Sequence, residues 1–192
     1  MNKRDLLIFL NCINFSSENS LKILNYLIDN NISIEDFDKV NFLEEKILTK
    51  RSYDKLKQRS KDFDLIIEKI NIRTNKLDVK VITILDNDFP ESLRYIENPP
   101  IVLYIKGDLK IYNPIAFVGA RSHSTYGKMA VNKIIDSIKN YNFTIVSGMA
   151  YGIDSLAHKR AILNNLNTIA VLGTGIDVVY PKSNQSLYDE IC

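Results

Sequence analysis

The chain has 192 residues, a length that can bury one good core or a modest core with a small second one. With 45% hydrophobic and 25% charged residues, its composition excludes general disorder. The 25 Lys and Arg residues nearly balance the 23 Asp and Glu residues, and a net charge of +2 is too small for a basic field over the whole molecule. Any attraction to nucleic acid must therefore come from a local cluster of charge.

The two cysteines, Cys12 and Cys192, lie near opposite ends of the chain without paired spacing. They predict reduced intracellular thiols and neither a disulfide framework nor a metal site. No apolar run approaches the roughly 20 residues that span a bilayer, and residues 1–11 fit an amphipathic helix better than a signal peptide. We expect a cytoplasmic protein without membrane contact.

Residues 1–75 contain no glycine and are rich in Leu, Ile, Lys, Asp and Asn, a composition typical of helices. Apolar residues recur at three- and four-residue steps over residues 21–28, and Ser20 is the candidate cap of this helix. Two further helices are predicted over residues 41–48 and 53–70. Together they predict an all-helical N-terminal domain over residues 1–75.

The sequence changes character from residue 80, because Val81–Leu85 is a short β-branched run typical of a strand. A domain boundary is therefore predicted near residue 76, followed by a turn-rich segment with a second strand at Ile101–Ile105. Beyond residue 113 short apolar strands alternate with helices, the strands being at 115–118, 144–146 and 168–172 and the helices at 125–139, 154–163 and from 184 onward. This alternation indicates an α/β domain over residues 76–192, a Rossmann-like parallel sheet with helices on both faces.

Each of the last three strands is followed by a polar segment that contains glycine. Because parallel strands joined by right-handed crossovers end at one edge of a sheet, the three segments are expected to form one site. Helix N-termini gather at that edge and favour anions, while Arg121 and Lys182 add positive charge. The expected ligand is a phosphate, and the candidate residues are Gly119, Ala120, Arg121, Ser122, Ser147, Gly148, Gly152, Gly173, Thr174, Gly175 and Lys182.

Aromatic side chains accompany these segments in the sequence. They could stack on unpaired bases, and they are His123, Tyr126, Tyr151 and Tyr180. Phosphate-holding groups interleaved with rings indicate a binder of single strands, although the same groups would suit a mononucleotide.

The same segments do not predict a catalytic site. Gly173-Thr174-Gly175 lacks the third glycine of a dinucleotide fingerprint, and Ser147 lacks the setting of a nucleophile elbow. His158, four residues after Asp154, is interpreted as a packing or hydrogen-bonding residue, and Asp154 as a helix cap. We therefore expect no enzyme activity, no cofactor and no metal.

Four motifs, in order, resemble those of the DNA-processing protein A (DprA/Smf) family, and they cover about the second half of the chain. They are residues 89–107, Val118–Arg121 with Tyr126-Gly127, Ser147–Asp154 with Ala157-His158, and Thr168–Asp177 with Tyr180–Lys182 and Asn184. The resemblance implies a Rossmann-like domain that binds single-stranded DNA without catalysis, protects incoming strands and helps to load the RecA recombinase in natural transformation. It implies that Arg121 and Lys182 hold the DNA backbone, and it adds Asn184 to the candidate residues.

The chain also departs from the family pattern. Its helical part lacks the glycine-containing hairpin of many relatives and looks like a degenerate sterile-alpha-motif-type bundle, for which no DNA contact is expected. The chain stops at Cys192, before the family's Arg-Asn-Arg and Ser-Gly-Ser-Leu segments. The resemblance thus implies a Rossmann-like domain that is incomplete at its C-terminal end, with a doubtful homodimer and weakened DNA binding.

Two alternatives to a strand-binding protein remain open. One is a nucleotide-binding or nucleotide-hydrolysing protein of the lysine-decarboxylase-like (LOG) group, which has a similar sheet. That group uses a Pro-Gly-Gly-x-Gly-Thr loop, whereas the chain has Leu172-Gly173-Thr174-Gly175 at this place. The other is a fragment without activity.

Overall fold

The computed structural model of the chain describes residues 2–192, which form two compact units. The first unit ends at Tyr104, and the second covers Ile105–Cys192. Each unit has a hydrophobic core of its own. Within the described residues, no helix combines the length and the apolar character needed to cross a membrane.

Four α-helices form most of the first unit: α1 (Lys3–Cys12), α2 (Ser17–Asp29), α3 (Lys50–Ser60) and α4 (Phe63–Lys76). A 3-10 helix at Ile34–Lys39 lies between α2 and α3 in the sequence. The middle of α1 is apolar, and the side chains of residues 6–10 are at most 3% exposed. Because α1 packs against both α2 and α4, this apolar run becomes the centre of the predicted helical bundle.

The start of α2 differs from the sequence prediction. The hydroxyl of Ser16 accepts a hydrogen bond from Asn19 N (3.2 Å), so Ser16 is the cap and the helix begins one turn earlier than predicted. Ser20 lies inside the helix, where its buried hydroxyl donates to the Ser16 carbonyl (2.9 Å). The prediction that Ser20 caps this helix is wrong.

The structure also differs from the prediction at the other two predicted helices. Residues 41–48 form turns, because Lys46 has a φ of +57° and the N–H groups of Ile47 and Leu48 both donate to the Phe42 carbonyl. The predicted helix over residues 53–70 is two helices, α3 and α4, separated by residues 61–62. The break allows Leu56 and Phe63 both to reach the core.

Two short strands, β1 (Lys80–Thr83) and β2 (Val102–Ile105), pair in a two-stranded sheet. A short helix, α5 (Glu91–Arg94), lies between them in the sequence. Contacts group residues 80–104 with the helical bundle, because β1 packs against α1 and α4. The boundary predicted near residue 76 was placed by the change in sequence composition, whereas the division after Tyr104 is made by contacts between residues. The predicted boundary therefore stays a prediction.

The second unit contains a parallel sheet in the order β3 (Pro114–Ala116), β4 (Thr144–Ser147) and β5 (Asn167–Ala170). Its helices are α6 (Thr125–Ile138), α7 (Ile153–Leu163) and α8 (Gln185–Ile191). This is the alternation that the sequence predicts, and it confirms the Rossmann-like α/β fold class. The strands are short and apolar, so their side chains can be buried only if helices pack over them.

The helices α6 and α7 pack on the same face of this sheet. The strand order β3-β4-β5 advances in one direction, and right-handed crossovers then put both connecting helices on one side. Their shared core contains Phe117, Ile145 and Ala157. Val118 is 87% exposed and Val171 62% exposed, so these two apolar side chains are not covered within the described residues.

A fully buried histidine, His158, connects α7 to the sheet. Its Nδ1 lies 2.6 Å from the Thr168 hydroxyl, which itself donates to the Ile145 carbonyl (3.0 Å). Burial lowers the pKa of His158 to about 4, although the Asp154 carboxylate and a backbone hydrogen bond at Ser147 act in the opposite direction.

We predict that His158 makes stability depend on pH. At pH values between the ordinary pKa of 6.5 and the folded-state pKa of about 4, His158 is protonated in the unfolded chain but neutral in the folded chain. Stability should therefore fall as the pH is lowered through this range, by about 3 kcal/mol in total. Denaturant unfolding of the wild type and His158→Asn, which keeps an N–H donor near Nδ1, measures this contribution. Equal pH dependence in the two proteins would contradict it.

Candidate phosphate-binding edge

Three loops follow the three parallel strands: loop 1 (117–124), loop 2 (148–152) and loop 3 (171–181). The register pairs Ala116 with Val146 and Ser147 with Ala170, so the strands end side by side. The three loops therefore meet at one edge of the sheet, as predicted, and we call this the loop edge. Each loop leads into a helix of the second unit.

Loops 1 and 2 touch through their backbones at Gly152. A Cβ atom at this position would lie 2.2 Å from the Ala120 carbonyl oxygen and 2.5 Å from that of Arg121. Gly152 also has a φ of +82°, which side chains rarely adopt, and it is the N-cap of α7. The next residue, Ile153, donates its N–H to the Ala120 carbonyl (3.3 Å), so loop 1 supplies an acceptor to the first turn of α7.

Two polar side chains that were predicted to bind the ligand, Ser147 and Asn184, make hydrogen bonds to loop 1 and loop 2 instead of lying open to solvent. The Ser147 hydroxyl is buried and donates to the Phe117 carbonyl (2.7 Å), which ties β4 to the end of β3. The Asn184 side chain is also buried and donates to the Met149 carbonyl (2.9 Å). Both groups have hydrogen-bond partners inside the fold, and the phosphate contacts predicted for them stay a prediction.

An acidic side chain lies under loop 2. The Asp154 carboxylate accepts a hydrogen bond from Ala150 N (3.3 Å) and lies 2.8 Å from where a Cβ of Gly148 would be. It closes the turn before α7, whereas the predicted side-chain cap of that helix is not formed. Because the carboxylate takes one N–H and carries negative charge, loop 2 is less suited to a phosphate than its neighbours.

Loops 1 and 3 expose backbone donors instead. In the chain as described, the N–H groups of Gly119–Ser122 and of Gly173–Gly175 donate to no protein acceptor, and all seven residues are exposed. At Gly173 an added Cβ would meet no atom within 4 Å, so a ligand can approach this backbone freely. Loop 3 keeps its shape through Thr174, whose hydroxyl donates to the Val178 carbonyl (2.8 Å), and through Tyr188, which donates to the Ile176 carbonyl (2.6 Å).

Cations and rings are exposed in these same loops. Arg121 lies in loop 1, and no ion pair within residues 2–192 neutralises its charge. Lys182 follows loop 3 and begins a short 3-10 helix, Lys182–Asn184. Three tyrosines that the sequence proposed for stacking are exposed, and they are Tyr126, Tyr151 and Tyr180. His123 is half-buried, with Nδ1 3.3 Å from the Ser124 carbonyl.

Charge is unevenly divided between the two units. The second unit holds nine Lys and Arg residues and six Asp and Glu residues, a net charge of +3, whereas the first is close to neutral at −1. The positive balance therefore belongs to the unit that carries the loop edge. Nowhere in residues 2–192 do three or more His, Cys, Asp or Glu side chains gather in a group that could hold a metal ion.

The sequence of the second half matches known proteins. Residues 80–192 match the family model described as DNA recombination-mediator protein A. The chain is 44% identical over 111 residues to DNA processing protein DprA of Streptococcus pneumoniae. The aligned segment covers 57% of this chain and 39% of that protein. It is 40% identical over 112 residues to protein Smf of Synechocystis, in an alignment that covers 55% of this chain and 28% of that protein. The chain thus spans well under half the length of these curated relatives.

The fold is also similar to solved structures. The crystal structure of DNA processing protein A from Streptococcus pneumoniae matches with a TM-score of 0.75 and 31% identity, over 100% of this chain and 64% of that one. A structure of DNA processing protein A from Helicobacter pylori, solved for its single-stranded DNA binding mode, matches with a TM-score of 0.51 and 26% identity. That match covers 59% of this chain and 51% of the other, whereas the pneumococcal match includes the helical part.

We predict opposite outcomes for alanine at two loop glycines. Gly152→Ala should destabilise the protein by at least about 2 kcal/mol, because the new Cβ meets two backbone carbonyls and the positive φ is strained. Gly173→Ala is the matched control and should change stability by less than about 0.5 kcal/mol, because its Cβ points into open space. Denaturant unfolding measures both, and similar values for the two variants would contradict the packing of loops 1 and 2.

Proposed function

Because the chain belongs to the DNA recombination-mediator protein A family, we propose that its loop edge binds the backbone of single-stranded DNA. One observation supports this above others: two exposed runs of free N–H groups, at Gly119–Ser122 and Gly173–Gly175, on the same edge of the sheet. Backbone N–H groups are good partners for phosphate oxygens, and they carry no preference for a base.

The side chains around these donors suit the same ligand. Arg121 offers a forked cation that can donate two hydrogen bonds to one phosphate, and Lys182 offers a point charge. Exposed rings at Tyr126, Tyr151 and Tyr180 provide surfaces on which unpaired bases can stack. A base in a duplex is already stacked on both sides, so these rings favour a single strand.

The proposed role is binding without catalysis. The Ser147 hydroxyl is buried and hydrogen-bonded, so it is a poor nucleophile, and His158 is buried and neutral, out of reach of a ligand. Following the family resemblance, we assign the protein to the cytoplasm, to the protection of incoming strands and to the loading of RecA recombinase in natural transformation. For dimerisation the proposal is the one that the resemblance implies for this chain, a weakened or absent homodimer.

Removing the charge of Arg121 should lower the salt dependence of binding. For single strands the logarithm of affinity falls with the logarithm of salt concentration at a slope near −0.7 per phosphate contact, so a few contacts give a slope of roughly −2 to −3. Arg121→Ala should weaken binding and flatten the slope by about 0.7. Fluorescence anisotropy with a labelled oligothymidylate measures both quantities.

The matched control for this charge is Lys139→Ala. Lys139 is exposed at the C-terminal end of α6, which lies at the opposite edge of the sheet from the loop edge, so its loss should leave the slope unchanged. No binding by the wild type at low salt would end the proposal. If AMP displaced the strand and bound more tightly than oligonucleotides, the loop edge would be a nucleotide site instead.

Gly173→Ala should separate binding from stability. Its Cβ meets no protein atom, so the folded state is unaffected, but the methyl group occupies space through which a phosphate would reach loop 3. We expect severalfold weaker strand binding with an unchanged free energy of unfolding, and a larger loss with Gly173→Val. Wild-type affinity in both variants would place the strand away from loop 3.

A further inference from the structure

Positive charge is concentrated on one helix of the first unit. Residues 50–61, which are α3 and the residue after it, include six Lys and Arg residues and one acidic residue, Asp54. Their net charge of +5 exceeds the +2 of the whole chain, so all other residues together are negative. Every one of the six cations is exposed.

The buried side of α3 fixes which way these cations face. Leu56 is 2% exposed and anchors the helix in the core, and Thr49 caps it by accepting a hydrogen bond from Ser52 N (3.4 Å). Lys55 donates to the Asn14 carbonyl (3.1 Å) and lies over the Phe15 ring. The helix is therefore held on one side, and its other side faces solvent.

Three of the cations have free head groups. Lys50, Arg51 and Lys61 take part in no ion pair or hydrogen bond through their side chains within the described chain. The remaining three are held: Lys55 as above, Lys57 by the Asp38 carbonyl (2.5 Å), and Arg59 beside Asp62 (3.6 Å). Half of the charge on α3 is thus available to a partner.

Part of this charge arrangement opposes the stability of α3. Lys50 and Arg51 lie in the first turn, where the helix dipole favours anions, and this turn contains no acidic residue. Like charges are also spaced four residues apart, at 51 and 55, at 55 and 59 and at 57 and 61, and each such pair costs a few tenths of a kcal/mol. The favourable placements are Lys57 and Arg59 in the last turn and Asp54 four residues after Lys50, so the helix breaks the local rules mainly in its first turn. Unpaired cations in that turn suit an anionic partner.

We propose that the exposed face of α3 is a second binding surface for the phosphodiester backbone of nucleic acid. This helix of 11 residues is about 16 Å long, a length over which several successive phosphates can lie. Tyr53 is half-buried, so the exposed face offers Lys, Arg, Gln58 and one carboxylate, Asp54, but no ring for stacking. The contact is therefore to phosphates and independent of base sequence, and it serves single strands and duplexes alike.

The proposal extends the proposed function to a second surface, and the experiment keeps the two apart. The full chain with Lys50→Gln/Arg51→Gln/Lys61→Gln is compared with a control of equal net charge, Lys3→Gln/Lys69→Gln/Lys76→Gln, whose exposed lysines lie on α1 and α4. Long oligothymidylate and a duplex of mixed sequence are titrated at several salt concentrations. Circular dichroism checks that both variants are folded.

The α3 variant should lose up to three phosphate contacts, so its salt slope with the single strand should flatten by about 2 while that of the control stays near wild type. Between about 50 and 200 mM salt, wild-type affinity should then fall roughly tenfold more than that of the variant. Hydrogen exchange of the wild type should slow at residues 50–61 when either nucleic acid is added.

Equal slopes for the α3 variant and its control would overturn this inference, while the proposed function would stand if Arg121→Ala still weakened binding. A change in sedimentation of the α3 variant without a change in strand binding would assign the surface to association of the protein with itself, and it would also overturn the inference. Absence of binding by the wild type would refute both proposals together.

Discussion

The backbone contact at Gly152 is the constraint on which the loop edge depends. Loop 1 lies so close to loop 2 that no side chain fits between the Gly152 α-carbon and the Ala120 and Arg121 carbonyls. These carbonyls therefore point inward, one of them to the N–H of Ile153, and the peptide N–H groups of loop 1 are left to face solvent. The position of Arg121 follows from the same contact, because its backbone is part of it.

Glycines in these loops serve two different purposes. At Gly119, Gly148 and Gly152 the missing Cβ makes room for other parts of the protein, whether a side chain of α7, the Asp154 carboxylate or a backbone carbonyl. At Gly173 it leaves open space. A glycine-rich motif at the end of a strand thus combines residues that allow the loops to pack with a residue that leaves the backbone open to a ligand.

Much of the second unit could be predicted from the sequence. Short apolar strands such as β4 alternate with helices at regular spacing, and the right-handed crossover rule then decides which ends of the strands meet. The roles of Ser147 and Asn184 could not be predicted in this way, because a hydroxyl or amide near a phosphate site has the same sequence signal as one that donates to a neighbouring carbonyl. Only the register and the packing of α8 reveal their partners.

In the first unit, local patterns were less informative. Residues 41–48 have the apolar spacing of a helix, but burial of Phe42 and the left-handed backbone at Lys46 produce turns instead. The basic character of residues 50–61 is visible in the sequence, yet the break after Ser60 and the inward direction of Leu56 are needed to show that the cations share one exposed side. Charge can be counted from a sequence, whereas its distribution over a surface requires the fold.

The exposed apolar side chains at the edges of the sheet have a practical consequence. Ala116 and Val118 expose hydrocarbon at the β3 edge of the sheet, and Val171 does so after β5 at the other edge. Exposed apolar residues beside an unpaired strand are the kind of surface through which proteins associate with other chains.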